Sequence, residues 1–134
     1  MRGAKPDARP DRAALPSVPR APTWMHKHAK AEWRRVAPIL VERRVLTDGD
    51  LGTLEGYAVA VGTVRECADE LRRDGLTYLD AKGTRKRHPA TAIQLAALQA
   101  ARLAANELGL TPVSRSRPAI RTDDAIEDDG LGDL

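Results

Sequence analysis

The sequence predicts an all-α protein: a helical hairpin core with a kinked N-terminal helix, a short β-hairpin or loop insertion, and disordered tails. Three observations carry this expectation. Apolar residues recur at helical spacing in three long segments, glycines at 75 and 109 stop two of them, and Pro6, Pro10, Pro16, Pro19 and Pro22 all precede the first.

The proline-rich, basic segment 1–22 has a composition that buries too little apolar surface to order itself, so it reads as an arm. The helical domain is expected over 23–117 and an acidic C-terminal tail over 118–134. A first helix is expected from about Met25 to Arg44, with Trp33, Val36, Ala37, Leu40 and Val41 on its apolar face and Lys27, Lys30, Arg34 and Arg35 largely on others. Pro38 falls inside this pattern, which predicts a kink or two abutting helices. Thr47 then caps the longest helix, which carries two apolar stripes, one through Leu51, Leu54, Ala58, Val61, Ala68 and Leu71, the other through Tyr57, Ala60, Val64 and Cys67. A surface helix needs one stripe, so two suggest burial within the subunit and against a neighbour. Gly52, Gly56 and Ala60 form a small-residue strip that would let another backbone approach. The Asp80 to Gly83 turn signal predicts a small hairpin or ordered loop, and a third helix follows, with Ile93, Ala97, Ala100, Ala104 and Leu108 on one face. Thr111 and Pro112 have the chemistry of one more short helix start.

The chain has 134 residues, no phenylalanine and four aromatic residues, so its core must be built from Ala, Leu, Val and Ile. Thin cores of this kind gain much from oligomerisation, and a multimer is expected. The single cysteine, Cys67, excludes an internal disulfide and a cysteine-based zinc site. His26 and His28, two residues apart, point to different sides of a helix, so no metal site is expected. No phosphate-binding loop, nucleophile elbow or framed carboxylate pair is present, and neither enzyme activity nor a cofactor is expected. No apolar run reaches the length of a membrane span.

Charge is the more informative feature. Segment 1–22 carries +3, segment 23–121 carries +6, and segment 122–134 carries −6. Lys82, Arg85, Lys86 and Arg87 cluster at the predicted hairpin, and together with Lys27, Lys30, Arg34 and Arg35 they suit phosphate contacts that bind DNA without reading its bases. Trp33 leads the apolar stripe and reads as core, not as a base-stacking residue. In the acidic tail Ile126, Leu131 and Leu134 are interleaved with the carboxylates, a pattern suited to docking on a partner; folding back on the basic hairpin is the other use of the same charge.

The stretch Lys30, Glu32, Trp33, Arg35, Pro38, Leu40 resembles the signature of phage terminase small subunits of the P-twenty-seven type. The likeness continues through Leu46 and Asp50, His88 and Pro89, and "LGLTPVSRSR" from Leu108 to Arg117. It covers roughly Trp24 to Arg117, and departs in the arm, where "DARPDRAALPSVPRAP" replaces a basic glycine- and lysine-rich segment. The resemblance implies a non-catalytic homo-oligomer ring, acting in the host cytoplasm, that engages double-stranded viral DNA and recruits the large terminase subunit with its ATPase and nuclease. It implies a helical hairpin as the oligomeric core; the apolar stripes and glycine strip then make Gly52, Gly56, Ala60, Val64, Ala97 and Ala104 the candidate interface residues, and the tail pattern makes Ile126, Leu131 and Leu134 the candidate docking residues for the large subunit. The residues alone also admit a dimeric helical transcription regulator, for which the link from Arg44 to Thr47 would be the tight turn. Against it, Asp48, Asp50 and Glu55 at the start of the next helix would face phosphates.

Overall fold

The computed structural model describes residues 13–115, and among them three long helices, one two-stranded hairpin and, at 112–115, the helical turn expected after Thr111. Helix α1 spans Lys27–Glu42, α2 spans Leu51–Asp74 after a single 3-10 turn at Asp48–Asp50, and α3 spans Ala90–Glu107; strands β1 (Thr77–Leu79) and β2 (Arg85–Arg87) join α2 to α3. The all-α fold with a short β-hairpin is as the sequence predicts.

Helix α1 begins where the His26 ring accepts the His28 backbone N–H, and ends where Arg44 turns left-handed (φ 57°), so that the Val45 N–H bonds back to the Leu40 carbonyl. One continuous helix runs through Pro38, so two abutting helices do not form. Pro38 is exposed. It faces solvent, where water can satisfy the carbonyl that loses its donor, while Val36, Ala37 and Leu40 beside it are fully buried. At the start of α2, Thr47 and Asp50 form a reciprocal capping box in which the Thr47 N–H donates to the Asp50 carboxylate at 3.0 Å.

Helix α2 is the central element, with α1 and α3 each packed along it. Residues from both of its apolar stripes are buried inside the subunit, while Leu51, Val61, Val64, Ala68 and Leu71 stay half-buried. Leu54, Tyr57, Ala58, Ala60 and Cys67 are all buried within the single chain. The main core joins Met25, Trp33, Val36, Ala37 and Leu40 to Leu46, Leu54, Tyr57, Ala58 and Leu108. It lies at one end of the α2–α3 pair.

The ordered body also reaches further back than Thr23. The Leu15 N–H bonds to the Leu46 carbonyl at 2.8 Å, the Trp33 indole N–H donates to the Pro19 carbonyl at 2.9 Å, and Leu15 and Ala21 pack on the core. Residues 13–22 thus lie as a strap on α1, within the segment expected to be a free arm. Composition gave little sign of this, because the strap is held mainly by two hydrogen bonds and two small apolar anchors.

Two contacts fix α1 against α2. A Cβ added at Gly62 would lie 2.8 Å from the Ala29 backbone nitrogen, so the helices cross at a distance only glycine permits. One side of this crossing holds Glu32, 1% exposed, whose carboxylate accepts from Tyr57 Oη at 2.6 Å, from Arg35 Nε at 2.9 Å and from Arg65 at 3.3 Å. Burial alone would raise the Glu32 pKa, but these donors and the two guanidinium charges outweigh it and hold the group below its ordinary value. Burial, reinforced by the Glu32 charge, pushes Tyr57 up to about 12.

Replacing Gly62 with Ala should destabilise the chain by about 1–3 kcal/mol through overpacking, although the same change in an exposed helix interior would gain about 1 kcal/mol. Urea unfolding reads this, with Gly56→Ala as the control, since a Cβ there meets nothing within 4 Å.

The Glu32 cluster also sets a pH profile. Glu32 has a depressed folded pKa, so its stabilisation is complete above its ordinary value of 4.5 and lost as pH falls through the folded value. Tyr57 has a raised one, so its stabilisation is complete below 10 and lost as pH rises toward about 12. Tyr57→Phe should cost about 1.5–3 kcal/mol at neutral pH, the range for a hydrogen bond to a charged group, and should flatten the alkaline limb. Urea midpoints measured from pH 3 to 11 test both.

Candidate functional site

The cations predicted for DNA fall into separate groups once the chain is folded. On the hairpin, Thr77 pairs with Arg87, Tyr78 with Lys86 and Leu79 with Arg85, in antiparallel register. Since side chains alternate along a strand, Arg85 and Arg87 share one face with Thr77 and Leu79, and Lys86 lies on the other with Tyr78. Lys86 also sits 3.7 Å from the Asp80 carboxylate, while Lys82 and Arg87 have no ion pair among the described residues. Arg85 donates to the Thr77 hydroxyl at 2.8 Å.

The hairpin is held at a fixed position by its ends. Asp80 accepts the Lys82 and Thr84 backbone N–H groups, each at 2.9 Å, and Gly83 (φ 79°) completes the turn. At its base, the Ala90 N–H donates to His88 Nδ1 at 3.0 Å, which leaves Nε2 to donate to Asp74 at 3.0 Å. Arg73 and then His88 hold Asp74 down to about 2, so this latch keeps its negative charge far into acid. His88 is thereby a structural residue at the start of α3. His28 is likewise engaged, 2.8 Å from Asp69, and tethers α1 to α2. Among the described residues no group of His, Cys, Asp and Glu could hold a metal ion.

On α1, Arg35 is committed to Glu32, and this pairing raises its pKa. Its side chain is 59% exposed; the i, i+3 spacing to Glu32 permits the pair, but the burial of Glu32 that strengthens it depends on α2. Lys27 stands beside Asp69, which it helps to stabilise. Lys30 and Arg34, by contrast, have no ion pair among the described residues. They line a groove of about 610 Å³ with Val18, Pro19, Arg20, Ala21, Thr23, Trp33 and Pro38. Sequence analysis placed Lys30 and Arg34 correctly outside the core but missed this groove, whose second wall is the strap.

The candidate interface residues also divide. A Cβ at Gly52 or Gly56 would meet nothing, so that part of the strip is open. Ala60 is buried within the chain, and Val64, Ala97 and Ala104 are half-buried there. On α3 the expected face is corrected: Ile93 and Ala100 are exposed, and the partly or fully covered positions are Ala90, Thr91, Gln94, Ala97, Ala101, Ala104 and Ala105, with Leu108 at the C-cap. Small side chains face α2 and large ones face out. Leu95, Leu98 and Leu103 are 59%, 49% and 64% exposed, and Leu76 and Leu79 on the hairpin are 65% and 60% exposed. Apart from Arg102 and Glu107, the middle and end of α3 carry no charged side chain on any side. The α3 leucines are interleaved with Gln99, Arg102 and Asn106, and together they leave a sizeable apolar area of α3 in water.

The tail residues Ile126, Leu131 and Leu134 lie outside the described residues. No helix among the described residues is long and apolar enough to cross a membrane. No curated protein and no solved structure matches the chain. The family model for the phage terminase small subunit matches residues 29–125, from the first turn of α1 through all of α2, the hairpin and α3. With that match over most of its length, the chain belongs to the phage terminase small-subunit family.

Proposed function

We propose that the chain is a non-catalytic packaging subunit that closes into a homo-oligomer ring through α3, binds double-stranded viral DNA through its unpaired cations, and recruits the large terminase subunit in the host cytoplasm. The observation that carries this reading is the outward-facing row of leucines on α3, which a single copy leaves in water. Burying the exposed half of such a side chain against a neighbour contributes about 1 kcal/mol each. Gly52 and Gly56 offer a second open strip, where a neighbour's backbone can come close. DNA binding falls to Arg85, Arg87 and Lys82 on the hairpin, with Lys27, Lys30 and Arg34 on α1; Lys86 contributes less because it faces Asp80. The tail through Ile126, Leu131 and Leu134 is the segment offered to the large subunit.

Assembly is tested on the exposed face. Leu95→Glu with Leu98→Glu should reduce the light-scattering mass to that of one copy while leaving the helical circular dichroism unchanged, since neither side chain supports the single-chain core. A mass unchanged by both substitutions removes α3 from the interface. Gly56→Leu should also impair assembly if the glycine strip is used, because it introduces bulk where the single chain leaves space.

DNA binding should be electrostatic and weakly selective. Arg85→Ala with Arg87→Ala should lower the slope of log K against log salt by about 0.9 for each phosphate no longer neutralised, and Lys86→Ala should change it less. Equal effects from all three would mean that the two faces of the hairpin are used alike.

A further inference from the structure

The groove between the strap and α1 is unlike the rest of the cationic surface. Its apolar lining comes from Val18, Pro19, Ala21, Trp33 and Pro38, and three cations, Arg20, Lys30 and Arg34, stand around it with no carboxylate partner among the described residues. A DNA duplex can touch Lys30 and Arg34 but cannot fill the apolar part of this concave site. Its convex phosphate backbone calls for projecting cations, and it has no apolar side chain to place against Trp33 and the prolines. The shape and chemistry instead fit a peptide in which carboxylates alternate with apolar side chains.

This chain contains one such peptide. Residues 122–134 carry six carboxylates, no cation, and Ile126, Leu131 and Leu134. We propose that this acidic C-terminal tail docks in the strap–α1 groove, with its carboxylates on Arg20, Lys30 and Arg34 and an apolar side chain against the indole and prolines. The chain has the reach to do so. Nineteen residues follow Arg115, an extended length of roughly 65 Å, against a diameter of roughly 35 Å for a domain of about a hundred residues. The route is short as well, because Leu108 and Leu110, just before the tail leaves, pack on the same core as Trp33, Leu15 and Ala21. A docked tail covers Lys30 and Arg34, so tail and DNA exclude each other there. The groove's strap wall and the last nine residues of the tail both lie outside the segment matched to the family.

Zero-length carbodiimide coupling on the full-length protein tests this without DNA or the large subunit, and so independently of the packaging reading. It joins a carboxylate to a lysine only when the two touch, and Lys30 is the one lysine among the described residues that lines the groove. At low salt, tail carboxylates should couple to Lys30 at least tenfold more than to Lys82 or Lys86. The product should fall at least fivefold in 1 M NaCl, and by a similar factor in Arg34→Glu, which leaves Lys30 in place. Arg20→Glu, at an exposed strap position, repeats the test if Arg34→Glu folds poorly. Coupling mainly to Lys82 or Lys86 would place the tail on the hairpin and overturn the proposal. So would the absence of any tail–Lys30 product, or a yield indifferent to both charge reversals. Protection of Lys30 by added duplex in a protein that forms no tail product would assign the groove to DNA instead.

Discussion

The close crossing of α1 over α2 at Ala29 and Gly62 is the constraint on which the rest of this structure depends. It brings Trp33, Val36 and Leu40 onto Leu54 and Ala58, and it buries Glu32 where Tyr57, Arg35 and Arg65 can reach it. A buried carboxylate is costly unless every lone pair finds a donor. Here it finds three side chains, one from α1 itself and two from α2, so the polar cluster forms only when the helices are in one register. The apolar contacts beside it tolerate small shifts; the Glu32 cluster does not. Register in α1–α2 in turn positions the strap, because the indole that holds Pro19 belongs to α1.

Much of this was legible in the sequence, and the parts that were not share a physical cause. Helical periodicity, Gly75 and Gly109 as stops, the capping chemistry at Thr47 and the hairpin at Asp80 to Gly83 are local signals, and each element formed where they pointed. Glu32, Gly62 and the groove are properties of pairs of elements. Nothing within α1 marks Glu32 as buried, and Gly62 falls outside the small-residue strip that Gly52 and Gly56 suggested. The strap was misjudged for a related reason: proline-rich composition argues against a core of its own, but says nothing of its capacity to lie on someone else's. On α3 the sequence showed an apolar helix, and the error was one of orientation. Ala97, Ala101 and Ala104 face α2, where small side chains let the two helices pack, and Leu95, Leu98 and Leu103 stand on the side left open.

The fate of each cation follows from the same geometry. Seventeen arginines in one chain look interchangeable by composition. Once folded, Arg35 and Arg65 serve Glu32, Arg72 serves Asp69 and Arg73 serves Asp74, so their charge is largely spent within the subunit. Arg20, Lys30, Arg34, Lys82 and Arg87 retain theirs. These residues lie at two places, the α1 groove and the hairpin. Among the described residues two anion-seeking surfaces of different shape thus stand out, one concave with an apolar lining and one a projecting ribbon. Shape, more than charge, distinguishes what each can hold.

The two-ended design has a consequence for how stability and function are coupled. The main core ties α1 to the start of α2 and the end of α3, whereas the remainder of the α2–α3 pair, with the hairpin at its tip, rests on alanine-lined contacts between two helices. That limb has little apolar surface of its own to bury and much to offer. Any association that covers Leu95, Leu98 and Leu103 stabilises it by mass action, so the limb and the assembly order each other. The His88–Asp74 latch then transmits that order to the hairpin, because it fixes the base of β2 to the end of α2 across the whole pH range in which Asp74 is charged. The position of Arg85 and Arg87 is thus set from below by α2, and any partner that covered the α3 leucines would also firm the limb that carries them.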